Sequence, residues 1–286
     1  MNLGVFTEYV AADTIEELAF KIAGLNLNSV VLSSYPGLDI DFENPSPAVC
    51  KRIANAFSQA GVVITAVSGY SNLLHPDDRQ RSAIHRQFSG LIRLCQQTGV
   101  PMLCTETGTF HPQSEWEWDP SNSTEQAMAL LVDTLKPFAQ EARDQGIELA
   151  LEPYVMNVAY SPARAVELME RIGQSNVKLI ADPVGMLTRV TLNEQELVLA
   201  DMFRRIAPYI GLVHAEDCRP DPQGHFSWLG AGEGAIDYPL FMDLLVGCGY
   251  EGPVILEHLK EDRIASSRNY VLAQWTEALR RSKKEQ

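Results

Sequence analysis

Four short apolar runs in the second half of the chain decide its reading: Leu149-Ala150-Leu151-Glu152, Leu179-Ile180-Ala181-Asp182, Leu212-Val213-His214 and Val254-Ile255-Leu256-Glu257. Each run closes on a residue able to hold a metal ion. The closing residues are spaced 30 to 43 positions apart, which is room for one strand, one helix and two loops. Parallel strands joined by helices put all their C-terminal ends on one face. Four side chains distant in sequence can therefore converge on one point, and that point is the expected active site.

The same alternation extends outward over the chain. Residues 3–7, 29–32, 62–67 and 102–105 read as strands one to four, and residues 147–152, 177–182, 210–214 and 253–257 as strands five to eight. Helices fill the intervals. The first is capped at Asp13 or Thr14, with Glu16 and Glu17 in its first turn, where the helix dipole favours negative charge. Others stop at Gly61, Gly99 and Gly146, the residue type that most readily ends a helix. Residues 124–145 carry Met128, Leu131, Leu135, Phe138 and Ala142 at helical spacing, and Pro137 is expected to kink or divide that helix. No Ser/Gly-rich linker or block of like charge marks a boundary. The expectation is a single (β/α)8 TIM barrel over residues 1–286. An open doubly wound sheet also alternates strand and helix, but the first strand-to-helix turn lacks G-x-G-x-x-G.

A formal net charge of −14 and a pI near 4.8 argue against nucleic acid or a membrane surface as partner. Cys50, Cys95, Cys104, Cys218 and Cys248 are scattered without C-x-x-C spacing, which fits a reducing compartment better than a disulfide framework. The first residues show no basic region followed by an apolar segment, and no apolar run is long enough to span a bilayer. A cytoplasmic location is expected.

Glu152, Asp182, His214 and Glu257 form a hard, mostly oxygen donor set, suited to Mn²⁺, Mg²⁺ or Co²⁺, with Zn²⁺ as a further candidate. Taken singly, each could equally cap a helix or pair with an arginine. Together, on consecutive strand ends, they point to a metal. The surrounding motifs are Leu151-Glu152-Pro153, Ala181-Asp182-Pro183, His214-Ala215-Glu216-Asp217, Gly232-Glu233-Gly234-Ala235-Ile236-Asp237-Tyr238 and Gly249-Tyr250-Glu251-Gly252-Pro253, running on to Leu256-Glu257-His258. With Asn72-Leu73-Leu74-His75-Pro76-Asp77, these motifs resemble the xylose-isomerase-like TIM-barrel superfamily of sugar isomerases and epimerases. That group includes ketose 3-epimerases, hydroxypyruvate isomerase and inosose dehydratase.

The resemblance implies that Glu152, Asp182, His214 and Glu257 are metal ligands, with Mn²⁺ the leading candidate. It also implies that Glu152 and Glu257 act as acid and base on opposite faces of a sugar. It places Arg219 in a loop where the family often holds substrate. Glu106, at the end of strand four, and His75 are further candidate substrate contacts; each can equally make a local salt bridge or face solvent. Strand alternation ranks His258 below His75, since it would point away from Glu257. Tyr154 and Trp116 are candidate wall residues. Where epimerase-type members usually carry a histidine three residues after the strand-six aspartate, this chain has Gly185. That departure keeps a second reaction in view: elimination by a metal-dependent dehydratase or lyase. A small sugar or polyol is the expected partner, together with a second copy of the chain in a dimer or tetramer. A repair endonuclease would need more histidine and a basic face, and a sugar-binding barrel without chemistry would not need the ligand set.

Overall fold

The computed structural model describes residues 1–221 and 226–285. In order, the elements are β1 (Asn2–Phe6), α1 (Ile15–Gly24), β2 (Ser29–Leu32), α2 (Pro47–Ala60), β3 (Val63–Ser68), α3 (Asp78–Thr98), β4 (Met102–Glu106), α4 (Glu125–Asp144) and β5 (Glu148–Glu152). There follow α5 (Pro162–Ile172), β6 (Val177–Ala181), α6 (Gln195–Ile206), β7 (Ile210–Pro220), β8 (Phe226–Gly230), α7 (Tyr238–Gly247), β9 (Pro253–Leu256) and α8 (Ile264–Glu285). β1 to β7 pair in sequence order, all parallel. β9 then closes the ring between β7 and β1 (Val213 beside Val254, Val5 beside Leu256). The result is a closed (β/α)8 barrel.

Local chemistry sets the helix ends. Thr14, Ser46, Asp77, Thr124, Ser161 and Asp237 each accept a hydrogen bond from a first-turn amide, satisfying a donor that has no partner within the helix. Gly61, Gly99 and Gly173 close α2, α3 and α5 in the left-handed conformation that glycine adopts without a Cβ penalty. α4 runs unbroken through Pro137, so the expected division does not occur. A proline inside a helix costs about 3 kcal/mol, whereas each buried side chain of that face (Met128, Leu131, Leu135, Phe138) contributes about 1.5–3 kcal/mol. Burial wins.

The structure departs from the sequence reading at the seventh strand. The sequence places the end of β7 at His214; the strand continues to Pro220, and its outer half pairs antiparallel with β8, from Glu216 beside Gly230 to Pro220 beside Phe226. A strand leaving the barrel exposes backbone donors and acceptors that need partners, and β8 supplies them.

Side-chain period two sorts the core into two compartments. Phe6, Val31, Ala66, Met102, Cys104, Ala150, Ile180, Leu212 and Ile255 fill the barrel interior, with at least one from every ring strand. The residues between them, such as Leu149, Leu151, Leu179, Val213 and Val254, pack outward against the helices. Among the described residues, no helix is long and apolar enough to cross a membrane.

Candidate active site at the carboxyl end of the barrel

Each proposed ligand stands two residues beyond an interior residue: Glu152 after Ala150, Asp182 after Ile180, His214 after Leu212 and Glu257 after Ile255. Period two therefore aims all four into the barrel mouth, one layer above the apolar filling. They meet at one atom. His214 Nδ1 lies 3.4 Å from Glu152 Oε1, 3.6 Å from Asp182 Oδ2 and 2.9 Å from Glu257 Oε2. The imidazole is fully buried, and Phe6 meets it edge-on from below at 5.3 Å.

Neighbours hold the carboxylates in place. Tyr70 Oη donates to Glu152 Oε2. The amides of Val184 and Gly185 donate to Asp182 Oδ1 at 2.6 and 3.0 Å. Burial alone would push the Asp182 carboxyl up, but His214 and the Gly185 amide hold it below the usual carboxylate range. Burial pushes Glu152 up against the pull of His214. Burial opposes charge on His214 as well, yet Glu257 and Glu152 raise the imidazole well above its ordinary value.

This donor set fits a divalent cation. Both ring nitrogens of His214 are buried without a hydrogen-bond partner among the described residues, although three carboxylates surround Nδ1. Buried polar atoms are rarely left so, and a ligand nitrogen facing three anionic oxygens is the arrangement an ion satisfies. Among the described residues, Glu152, Asp182 and His214 offer ligand atoms all within 4.8 Å of one another. Glu216, Glu257 and His258 do the same.

Glu152, Asp182 and Glu257 line a pocket of about 400 Å³ together with Tyr70, Glu106, Trp116, Tyr154, Gly185, Glu216, Trp228 and His258, while His214 itself is fully buried. Aromatic rings form an arc along its wall. Trp116 and Tyr154 are 6.1 Å apart, Tyr154 and Trp228 6.2 Å, and Trp228 stacks on His258 at 5.5 Å. Glu106 pairs in register with Glu152 across β4 and β5, is 1% exposed, and has no hydrogen-bond partner for either carboxylate oxygen among the described residues. Burial, with the charges of Glu115 and Glu152 added, pushes its pKa to about 8.

The pocket does not include the other two candidate substrate contacts. Arg219 is exposed on the β7 extension and donates to the Glu233 carbonyl at 2.6 Å. It lies an odd number of residues past His214, hence on the opposite strand face. His75 lines an adjoining cleft of about 570 Å³ that shares Tyr70 and Trp116 with the pocket. The expectation for His258 is corrected: it lines the pocket. Its φ of 51° ends the strand pattern after Glu257, so alternation no longer governs its direction.

Sequence reasoning also passed over Glu216. It stands two residues beyond His214 on the same face of β7, 3% exposed. Burial and the Asp182 and Glu257 carboxylates raise its pKa well above the ordinary range. Its neighbour Asp217 is structural, accepting from the amides of Cys218, Gly232, Gly234 and Ile236 at 2.8 to 3.2 Å. These bonds tie the glycine-rich stretch to β7. At Gly234 a Cβ would lie 2.2 Å from Asp217 Oδ1, so only glycine fits.

Comparison with known proteins agrees with this architecture. A ketose 3-epimerase from Arthrobacter globiformis is 27% identical over 140 residues, 48% of this chain and 44% of that protein. The match thus spans under half the length of that relative. A solved L-ribulose 3-epimerase superposes with a TM-score of 0.75 at 17% identity, covering 98% of this chain and 96% of that one. A xylose isomerase-like TIM barrel protein from Mycobacterium smegmatis, solved in complex with magnesium, superposes with a TM-score of 0.67 at 19% identity, over 92% of this chain and 89% of that one. Both structural likenesses speak to the fold. The model of the xylose isomerase-like TIM barrel family matches residues 10–284, and the chain belongs to that family.

Proposed function

We propose that this protein is a divalent-metal-dependent isomerase or epimerase of a sugar, sugar phosphate or related polyol, moving a proton on a carbon next to a carbonyl. One observation carries the reading: the carboxylates of Glu152, Asp182 and Glu257 converge on a single buried nitrogen of His214 at the barrel mouth. Membership of the family and likeness to the epimerases named above support a sugar as the substrate class. Those four residues would hold the metal, with Mn²⁺ proposed and Mg²⁺, Co²⁺ or Zn²⁺ as alternatives. When bound, the cation supplies electrostatic stabilisation for negative charge developing on the carbonyl oxygen.

The chain's own groups do the rest. Glu152 and Glu257 come from strands on either side of His214, so each can face a different side of a substrate lying over the imidazole. One takes the proton from carbon and the other returns one, which makes them the proposed catalytic pair. Tyr70 fixes Glu152 through Oε2 and leaves Oε1 turned to His214. Trp116, Tyr154 and Trp228 give an apolar wall for the carbon faces of the sugar, as in most small-molecule sites. Glu106 is a proposed substrate contact; with a pKa of about 8 it is a neutral acid at pH 7 and can donate to a substrate oxygen.

That same neutral acid favours a second reading. A buried carboxylic acid can protonate a departing oxygen, and Gly185 adds no side-chain donor to hold the substrate in place. Both are compatible with a metal-dependent dehydratase or lyase sharing the first proton abstraction. The test incubates Mn²⁺-loaded protein with a panel of ketoses, aldoses and keto-glycosides in D₂O and follows the products by NMR. Deuterium on the carbon next to the carbonyl, with an epimer or isomer formed, is expected. Loss of water or of an aglycone would select the second reading, and no deuterium in any member would count against both.

A further inference from the structure

We propose a second divalent-cation site, formed by Glu216, Glu257 and His258 and sharing Glu257 with the site on His214. It rests on the reading of Glu152, Asp182, His214 and Glu257 as a cation site, and makes the pocket a two-ion centre.

The two oxygens of Glu257 face different groups. Oε2 is 2.9 Å from His214 Nδ1, and Oε1 is 3.7 Å from His258 Nε2. That is the disposition of a bridging carboxylate. Glu216 Oε2 lies 3.4 Å from the same His258 nitrogen, so Nε2 faces two carboxylate oxygens at once. All three ligand atoms fall within 4.8 Å of one another.

An independent observation marks the group as more than an acidic cluster. Glu216 is 3% exposed, and its Oε2 has no hydrogen-bond partner among the described residues. A buried carboxylate oxygen left without a donor is costly, and here it is aimed at the imidazole side of the group. A dication would supply that oxygen with a partner and draw the two carboxylates and the imidazole together.

His258 is held for the purpose. Its φ of 51° is a left-handed conformation that non-glycine residues rarely adopt. The conformation turns the ring back over the pocket, where Trp228 stacks on it with an interplanar angle of 24°. Both supports come from outside the first site: Trp228 from β8 and Glu216 from the extension of β7. Two carboxylates and one imidazole suit a hard ion such as Mn²⁺. With fewer anionic ligands, one of them shared, this site should bind more weakly than the first.

The experiment strips the protein with chelator, equilibrates it with Mn²⁺, and measures bound metal by atomic emission and by low-temperature electron paramagnetic resonance. Wild type is expected to take up two Mn²⁺ per chain, the second more weakly, with the signal of an exchange-coupled pair. Glu216→Gln and, separately, His258→Ala should each hold one Mn²⁺ per chain and give the signal of an isolated ion. His258 is 39% exposed, so its truncation offers a variant whose folding does not depend on a buried change. If saturated wild type holds one ion, with an isolated-ion signal that neither variant alters, the second site is overturned and the first stands. If wild type holds none, the reading of the first site falls, and this proposal with it.

Discussion

Replacing Glu106 by glutamine should raise the stability of the protein, and raise it more as the pH increases. The carboxyl is 1% exposed without a partner for either oxygen, and its pKa stands at about 8 against an ordinary 4.5. Between those values the folded protein keeps the proton while the unfolded chain has released it. Unfolding therefore gives up a proton, and stability falls as pH rises from 4.5 to about 8, then levels. At about 1.4 kcal/mol per pH unit the full loss is about 5 kcal/mol. Glutamine does not titrate, and its amide resembles the protonated acid in shape and polarity, so the variant escapes the loss. Denaturant unfolding of metal-stripped wild type and Glu106→Gln, run from about pH 5 to pH 9, checks this, because every other titrating group is common to both. The curves should nearly meet at the acid end and separate by several kcal/mol at pH 8. A separation that is constant with pH, or that narrows as pH rises, would refute the assignment of Glu106 as a buried neutral acid.

Glu152→Gln and Glu257→Gln should each lower kcat by about 10²- to 10⁴-fold, the usual contribution of a positioned acid or base. Metal content should fall less, since three ligands remain; near-normal turnover in either variant would remove the acid/base roles. Chelation by EDTA should abolish activity and Mn²⁺ should restore it, as followed by initial rates; full activity in chelator with no metal bound would end the metal reading. Gly234→Ala should cost about 1–3 kcal/mol by denaturant unfolding, because its Cβ would lie 2.2 Å from Asp217 Oδ1 and 2.3 Å from the Cys218 carbonyl oxygen. An unchanged midpoint would mean that the Asp217 clasp yields easily.

The barrel and the layer that carries its candidate ligands were readable for a single reason. Apolar runs with both faces buried stand out in a sequence, and the polar residue that closes each run falls on the interior face by parity. Glu216 obeys the same parity and was within reach. The apolar run that marks β7 in the sequence stops at His214, whereas pairing with β8 carries the strand to Pro220. β8 itself, Phe226-Ser227-Trp228-Leu229-Gly230, is short, and only its partner makes it a strand. His258 is the opposite case: strand alternation does not reach it, because β9 ends at Leu256 and the backbone turns left-handed at His258 itself. For Arg219 and His75 the sequence offers only a loop position, which does not fix direction: one side chain bonds to a carbonyl, the other lines the next cleft.

The two-residue step from Ala150 to Glu152, repeated at Ile180, Leu212 and Ile255, has an evolutionary corollary. Inserting or deleting one residue within β5, β6, β7 or β9 would swing that strand's ligand out among the helices and leave an aliphatic side chain in its stead. Loop lengths around the rim can drift and retune what is accepted, while strand lengths beneath it are locked. New specificities on this scaffold should therefore arise by editing connections, and scarcely ever by indels in the staves.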